Sequence, residues 1–403
     1  MPSGCGPTCV VFDETLTDYD FGPAHPMNPV RVDLTMRLAR ELGVVSDGPV
    51  TGGADGLVAV PAPDATDDDL LVVHDPGLIE AVRRSSLDPG RTDPRHGIGT
   101  DDNPTFRHMH EAARHVVGAS LEAARRVWEG EAIHAANIAG GLHHAMPDQA
   151  SGFCVYNDVA VAIRWLLDHG ARRVAYVDVD VHHGDGVQQI FYDDPRVLTI
   201  SLHETGQMLF PGTGFPAETG GPDAPATSVN VALPPGTADA GWLRAFHAVV
   251  PPLVRAFAPD ILVTQQGCDT HRDDPLAHLM LTVDGHRATY AALHDLAHEV
   301  CGGKWLAVGG GGYAVVDVVP RSWTHLLAVV GGAPLDPETE TPRGWRAHVE
   351  EALQRGAPGR MGDGRTPAYR DWSEGYDPNT WLDRAVHETR TAVFPEHGLD
   401  PLP

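Results

Sequence analysis

The fold class predicted by this sequence is α/β, a parallel sheet covered by helices on both faces. Three observations carry the prediction. A chain of 403 residues with 42% hydrophobic side chains can bury a large core. Short apolar runs alternate with stretches of helical periodicity, as in repeated strand–helix units. Several apolar runs end in polar or glycine-rich turns, and the C-terminal strand ends of such a sheet are where ligands bind.

In chain order, the strand candidates are CVVF (9–12), RVAYVDVDV (173–181), RVLTISL (196–202), DILVTQQG (260–267) and KWLAVGGGG (304–312). Apolar side chains recur at a 3.6-residue period over 29–42, 106–129, 157–168, 239–257 and 285–301. The turns HHGDGV, HETG, QQGCDTH and GGGGY should therefore converge on one edge of the sheet. No internal repeat is present. The one linker-like stretch, QRGAPGRMGDGRTP (354–367), precedes an amphipathic helix expected over about 379–392. The tail is expected to wrap the same domain rather than form a second one.

Composition narrows the function. With 29 Lys and Arg against 55 Asp and Glu, the formal charge is −26. Such a chain repels nucleic-acid phosphates and anionic membranes and suits a partner that presents lysine or arginine. Cys5, Cys9, Cys154, Cys268 and Cys301 are odd in number and form no CxxC pair, which fits neither a zinc knuckle nor a disulfide framework. The first residues lack a basic segment followed by an apolar one, and nowhere do 18 apolar residues run together. The expectation is a soluble cytoplasmic protein.

The run YVDVDVHHGDG (176–186) is unusual for a buried strand. On a strand, Asp178, Asp180 and His182 share one face, opposite Val177, Val179 and Val181. Ionisable groups on a buried face cost several kcal/mol each unless a cation or partners neutralise them. A metal is the economical explanation, since Asp oxygen and His nitrogen are ordinary zinc ligands. Residues two apart along a strand lie about 6 to 7 Å apart. Asp180 and His182 can therefore meet on one ion only at the strand end, where Gly184 lets the chain turn.

Three further segments complete the pattern. GGLHHA supplies His143 and His144; adjacent imidazoles diverge, so they suit proton transfer better than shared ligation. Asp178 and Asp185 are available to fix their tautomers. QQGCDTHRDDP offers Asp269 or His271 as the third ligand of a catalytic metal that keeps one position open. GGGGY ends a strand with glycines that permit close backbone approach, and Tyr313 can donate to a developing oxyanion. No GK[ST] follows and no GxGxxG leads, so a phosphate loop does not fit.

Taken together these segments resemble the zinc-dependent histone deacetylase family, and within it the bacterial acetoin-utilisation branch. The motifs occur in the family's order: YDFGPAHPMNPVR (19–31), GIGTDDNPTFRHMHEA (97–112), GGLHHA, SGFCVYND (151–158), YVDVDVHHGDGVQQIF, ISLHETGQMLFPGTG (200–214), GCDTHRDDPLAHL and GGGGY. The resemblance covers about residues 10 to 330, and the ending AVFPEHGL resembles the acetoin-type tail. It implies a single domain with the arginase/deacetylase fold and an eight-stranded parallel sheet flanked by helices. A catalytic domain would occupy 9–335, with a C-terminal extension, 336–403, packed on it.

The resemblance also implies roles. Asp180, His182 and Asp269 would be zinc ligands, with Fe2+ as a cellular substitute. His143 and His144 would transfer protons, buttressed by Asp178 and Asp185, while Tyr313 polarises the acetyl carbonyl. Gly152, Phe153 and Phe210 would wall a narrow tunnel, with Asp102 at its rim holding the substrate backbone; Asp101 is the alternative there. Structural K+ would be held around Asp178, Asp180, His182, Ser201 and Leu202, and again around Phe191, Asp194 and Val197. The implied reaction is hydrolysis of Nε-acetyl-lysine in proteins to acetate and lysine, with a metabolic acyl-CoA synthetase among the implied partners. Acetylpolyamine amidohydrolases share the ligands and are the competing reading; the motifs around 97–112 and 264–282 favour protein lysine. Arginase-type ureohydrolases bind two manganese ions through D-x-H-x-D and D-x-D, and here Gly184 and His271 stand in place of the extra carboxylates. A non-catalytic binding module is disfavoured because no proposed catalytic position is substituted.

Overall fold

The computed structural model describes residues 6–48 and 56–402. Cys5 and the last residue of the expected extension, Pro403, lie outside the described residues. The strands are β1 (Thr8–Val11), β2 (Val45–Asp47), β3 (Leu57–Val60), β4 (His134–Asn137), β5 (Val174–Asp178), β6 (Val197–Glu204), β7 (Ser228–Leu233), β8 (Ile261–Gln265) and β9 (Trp305–Val308). They form one sheet in the order β2-β3-β1-β4-β9-β8-β5-β6-β7, with every pairing parallel. The sheet has nine strands where eight were expected. Edge strand β2 is three residues long with only Val45 buried, too short to leave a periodic signal.

The helices are α1 (Val30–Glu41), α2 (Asp67–Leu71), α3 (Pro76–Leu87), α4 (Met109–Trp128), α5 (Asp158–Asp168), α6 (Asp185–Phe191), α7 (Asp239–Phe257), α8 (Val283–Cys301), α9 (Val319–Val330), α10 (Arg343–Leu353) and α11 (Trp381–Val393). Two runs of packed neighbours cover the sheet, α1-α9-α8-α7 and α3-α4-α5-α6. β5, β6 and β7 are buried along their whole length, as strands covered on both faces must be. Helix α9 is also buried at every residue, so none of its faces meets solvent.

Beyond α9 the chain stays against the sheet and its helices. α10 packs on α1 through Leu34, Leu38, Trp345 and Val349, with Met361 from the following segment in the same cluster, and the Trp345 indole donates to the Leu34 carbonyl at 2.9 Å. α11 packs on α7 and β7. There the buried Arg244 guanidinium meets both Asp383 oxygens, at 2.7 and 2.8 Å, and Thr389 donates to the Asn230 carbonyl. Bidentate pairing with further hydrogen bonds to backbone carbonyls offsets the desolvation cost of burying these charges. Among the described residues no helix is long and apolar enough to cross a membrane.

The expected strand 173–181 ends earlier than its apolar pattern, at Asp178. The side chains explain the stop. Asp178 Oδ1 accepts from the Asp180 N–H at 3.1 Å, and Asp180 Oδ1 accepts from the His182 N–H at 3.0 Å. These local bonds compete with the ladder and turn the chain out of the sheet. Asp180 and His182 therefore sit in a loop, free of the 6 to 7 Å spacing that a strand would impose.

Candidate active site

Four neighbouring strands, β4, β9, β8 and β5, deliver their C-terminal loops side by side. The loop after β4 carries His143 and His144. It is shaped by the buried Asp158, whose carboxylate accepts from the Gly141 and Leu142 N–H groups, the latter at 2.8 Å, and from Ser120 Oγ. Gly141 has φ +91°, and a Cβ there would fall 2.4 Å from the Gly309 carbonyl oxygen. The glycines of the β4 and β9 loops thus let the two backbones touch. In the β9 loop, Gly311 donates to Asp180 Oδ2 at 2.7 Å, and its own Cβ position lies 2.0 Å from Asp269 Oδ2.

Asp180, His182 and Asp269 come together as a buried group that could hold a metal ion. His182 Nδ1 lies 3.1 Å from Asp180 Oδ1 and 3.1 Å from Asp269 Oδ2. Two donors on one tetrahedral zinc, each about 2.0–2.1 Å from it, stand about 3.3 Å apart. Two carboxylates and an imidazole are a normal ligand set for such an ion, and the residues fit it. The electrostatics agree. Burial opposes charge on His182, but Asp180 and Asp269 outweigh it and push this imidazole up to about 10. Burial and the neighbouring Asp180 raise Asp269 to about 7. Of the two candidates for third ligand, His271 is excluded by position: its Nε2 is bound to Asp363 at 2.8 Å.

His143 and His144 each commit Nδ1 to a carboxylate, Asp178 at 2.7 Å and Asp185 at 2.6 Å respectively. Their Nε2 atoms face each other at 3.1 Å, so the pair can share one proton between them. Burial works against charge on both rings. For His143 the charges of Asp178 and Asp180 win and raise it to about 9; for His144 burial and the repulsion of His143 win and lower it to about 4. Asp178 is further fixed by the Tyr176 hydroxyl at 2.5 Å.

A cavity of about 210 Å³ opens onto this group, lined by Asp102, His144, Gly152, Phe153, His182, Leu209, Phe210, Leu276 and Tyr313. Asp102, and not Asp101, belongs to the lining. His144 lines it and His143 stands behind. Phe153 meets the Tyr313 ring edge to face, with centroids 5.7 Å apart. The tyrosine backbone N–H is anchored to Asp274 at 2.8 Å. Burial, reinforced by Asp269 and Asp180, holds the Tyr313 phenol well above its ordinary range, so it remains a donor.

The expected potassium positions fall into two places. Asp178 and Ser201 are register partners across β5 and β6, with Asp180 and His182 in the following loop and Leu202 next along β6. Phe191, Asp194 and Val197 share the turn between α6 and β6, where Asp194 N–H donates to the Phe191 carbonyl and Val197 N–H to the Asp194 carbonyl. The Asp194 side chain is taken by Arg196.

Several residues that shape the site were not singled out in the sequence. Gln265 donates to Asp180 Oδ2 at 2.8 Å, while Leu209 and Leu276 complete the cavity wall. Arg31, 2% exposed, donates to the carbonyls of Gly310 and Gly312, at 2.8 and 3.2 Å, and so braces the glycine turn that carries Tyr313. Its signal was present as the last residue of YDFGPAHPMNPVR, but an arginine in a helix normally reads as exposed.

A carboxylate–imidazole group able to hold a metal ion, on the carboxyl edge of a parallel sheet and flanked by two buttressed histidines, fits a hydrolytic enzyme of the arginase/deacetylase fold. Comparison with known proteins narrows this. A profile of the Histone deacetylase domain matches residues 25–330. The chain is 41% identical over 337 residues to Acetoin utilization protein AcuC of Bacillus subtilis (strain 168), covering 83% of this chain and 84% of that one. It is 35% identical over 361 residues to the AcuC of Staphylococcus aureus (strain MSSA476), covering 88% and 90%. Among solved structures, the HDA15 HD domain superposes with a TM-score of 0.71 at 29% identity, covering 86% of this chain and 94% of that one. An HDAC homolog complexed with SAHA superposes at 0.81 and 24% identity over 95% and 99%, which shows the shared fold. The chain belongs to the histone deacetylase family, near AcuC, and is a hydrolytic deacetylase.

Proposed function

We propose that this chain hydrolyses the acetyl amide of Nε-acetyl-lysine in proteins, using a zinc ion held by Asp180, His182 and Asp269. The observation that carries the reading is the meeting of that ligand group with two carboxylate-buttressed imidazoles at the floor of a narrow, largely apolar cavity. A zinc ion there would supply a Lewis acid that acidifies water and polarises the amide carbonyl. The chain's own groups do the rest. His144, the imidazole that faces the cavity, takes the proton of the attacking water at Nε2, the nitrogen that faces His143 rather than Asp185. Tyr313 donates its hydroxyl to the carbonyl oxygen as negative charge develops. The imidazole pair returns the proton to the lysine nitrogen as the carbon–nitrogen bond breaks, and acetate and a free amine leave. Fe2+ in place of zinc and K+ at the two backbone positions belong to the same reading.

Phe153, Phe210, Leu209 and Leu276 give the walls the apolar character that an uncharged acyl-lysine stem requires. Asp102 at the lining supplies an acceptor for substrate backbone N–H groups, which favours a polypeptide over a small amine. The chain's excess of acidic residues suits basic segments, and an acetylated metabolic enzyme such as an acyl-CoA synthetase is the proposed class of target. The test is acetate release by zinc-loaded protein from an acetyl-lysine peptide and, in parallel, from an N-acetylated polyamine. Preference for the peptide supports the reading; preference for the polyamine would keep the chemistry and overturn the substrate.

A further inference from the structure

At the opposite edge of the sheet lies a second histidine cluster. His134 opens β4, paired in register with Thr8 on one side and Trp305 on the other. His294 and His298 are four apart on α8 and so project from one face of that helix toward it. One nitrogen from each ring lies within 4.8 Å of the other two. Ring centroids are 5.0 Å apart for His134 and His294, 5.0 Å for His134 and His298, and 4.6 Å for His294 and His298. None of the three lines the catalytic cavity.

We propose that His134, His294 and His298 form a second metal site, selective for a zinc-like divalent transition-metal ion and clamping α8 to the sheet. His134 Nε2 and His298 Nε2 stand 3.1 Å apart, close to the about 3.3 Å spacing of two imidazoles on one tetrahedral zinc. A bare hydrogen bond between two neutral rings is the simpler explanation, but it joins only two of the three, and a shared ion would account for all three nitrogens gathering at the fully buried His134.

The surroundings fit a ligand set. Asp295 Oδ1 lies 3.4 Å from His294 Nδ1, within reach to fix the tautomer that leaves Nε2 as ligand. The chain passes close beside His298 at Gly303, where φ is +87° and a Cβ would fall 2.9 Å from Cε1 of that ring. His298 is only half-buried, which leaves a route for the ion from solvent. Three imidazoles and no bound carboxylate favour zinc, nickel or cobalt over magnesium or calcium.

The test uses untagged protein, stripped of metal and titrated with Zn2+, with bound metal counted at equilibrium. Two equivalents per chain are expected for the wild type and one for His298→Gln, whose acetate release should stay within about twofold of wild type when zinc-loaded. Crystals of the wild type soaked in Zn2+ and measured at the zinc absorption edge should show anomalous density among the three rings as well as at Asp180, a readout independent of how any variant folds. Saturation of the wild type at one equivalent, two equivalents retained by His298→Gln, or anomalous density at Asp180 alone would overturn the proposal.

Discussion

Gly311→Ala tests the site through space alone. Gly311 is not among the residues with positive φ, so alanine meets no backbone strain there. The added Cβ would lie 2.0 Å from Asp269 Oδ2 and 2.9 Å from Asp180 Oδ2, where ordinary contact begins at 3.4 Å. Asp269 must yield by more than 1 Å, yet its other oxygen is tied to the Val181 N–H at 2.9 Å. The glycine loop cannot retreat freely either, because Arg31 holds the carbonyls on both sides of it. Overpacking of this kind costs about 1–3 kcal/mol of stability, and misplacing a reacting group by about 1 Å costs about 10²-fold in rate. The variant should fold, bind Zn2+ at least about tenfold more weakly, equivalent to about 1.4 kcal/mol, and lose about 10² or more in kcat. Circular dichroism, zinc titration and acetate release measure the three quantities. Wild-type zinc affinity and turnover in Gly311→Ala would refute the claim that the glycine is there to let the backbone reach the ligands.

Tyr313→Phe should lose about 10² to 10³ in kcat, the usual cost of one oxyanion donor, with zinc content and melting temperature unchanged; near-normal turnover would remove the tyrosine from the mechanism. His144→Ala should lose about 10² to 10⁴ in kcat, the range for general acid–base catalysis, while still binding Zn2+ with near wild-type affinity in an equilibrium titration. Zinc binding should itself depend on pH. The His182 imidazole is raised in the metal-free fold to about 10 from its ordinary value of 6.5, so its pairing with the two carboxylates stabilises that fold fully below about 6.5 and is lost as pH rises through 10. A ligating His182 must give up this proton. Affinity should therefore climb by up to about tenfold per pH unit across that window, with a proton released, as calorimetry in buffers of differing ionisation enthalpy would detect.

How far the sequence revealed this arrangement depended on how chemically odd each segment was. Asp178, Asp180 and His182 stood out because carboxylates in a valine run have no place in an ordinary core, and Asp269 stood out at the end of an equally apolar run. The strand bearing the first group was read too long, because apolar periodicity does not register the side-chain bonds from Asp178 and Asp180 that turn the chain away. β4 escaped because HAAN is short. Arg31 and Gln265 act through contacts spanning 279 and 85 residues of sequence, which no local pattern contains. His134, His294 and His298 drew no notice because 160 residues separate the strand histidine from the helical pair, and only the sheet register brings them together.

The most direct test of the central claim follows acetate release from an acetyl-lysine peptide as metal is removed from the protein and Zn2+ is returned, with Asp180→Asn beside the wild type. Activity that falls to background on chelation and returns with Zn2+ in the wild type, but not in Asp180→Asn, is the predicted result. Hydrolysis that survives chelation, or full recovery in Asp180→Asn, would contradict the assignment of Asp180, His182 and Asp269 as the catalytic metal ligands.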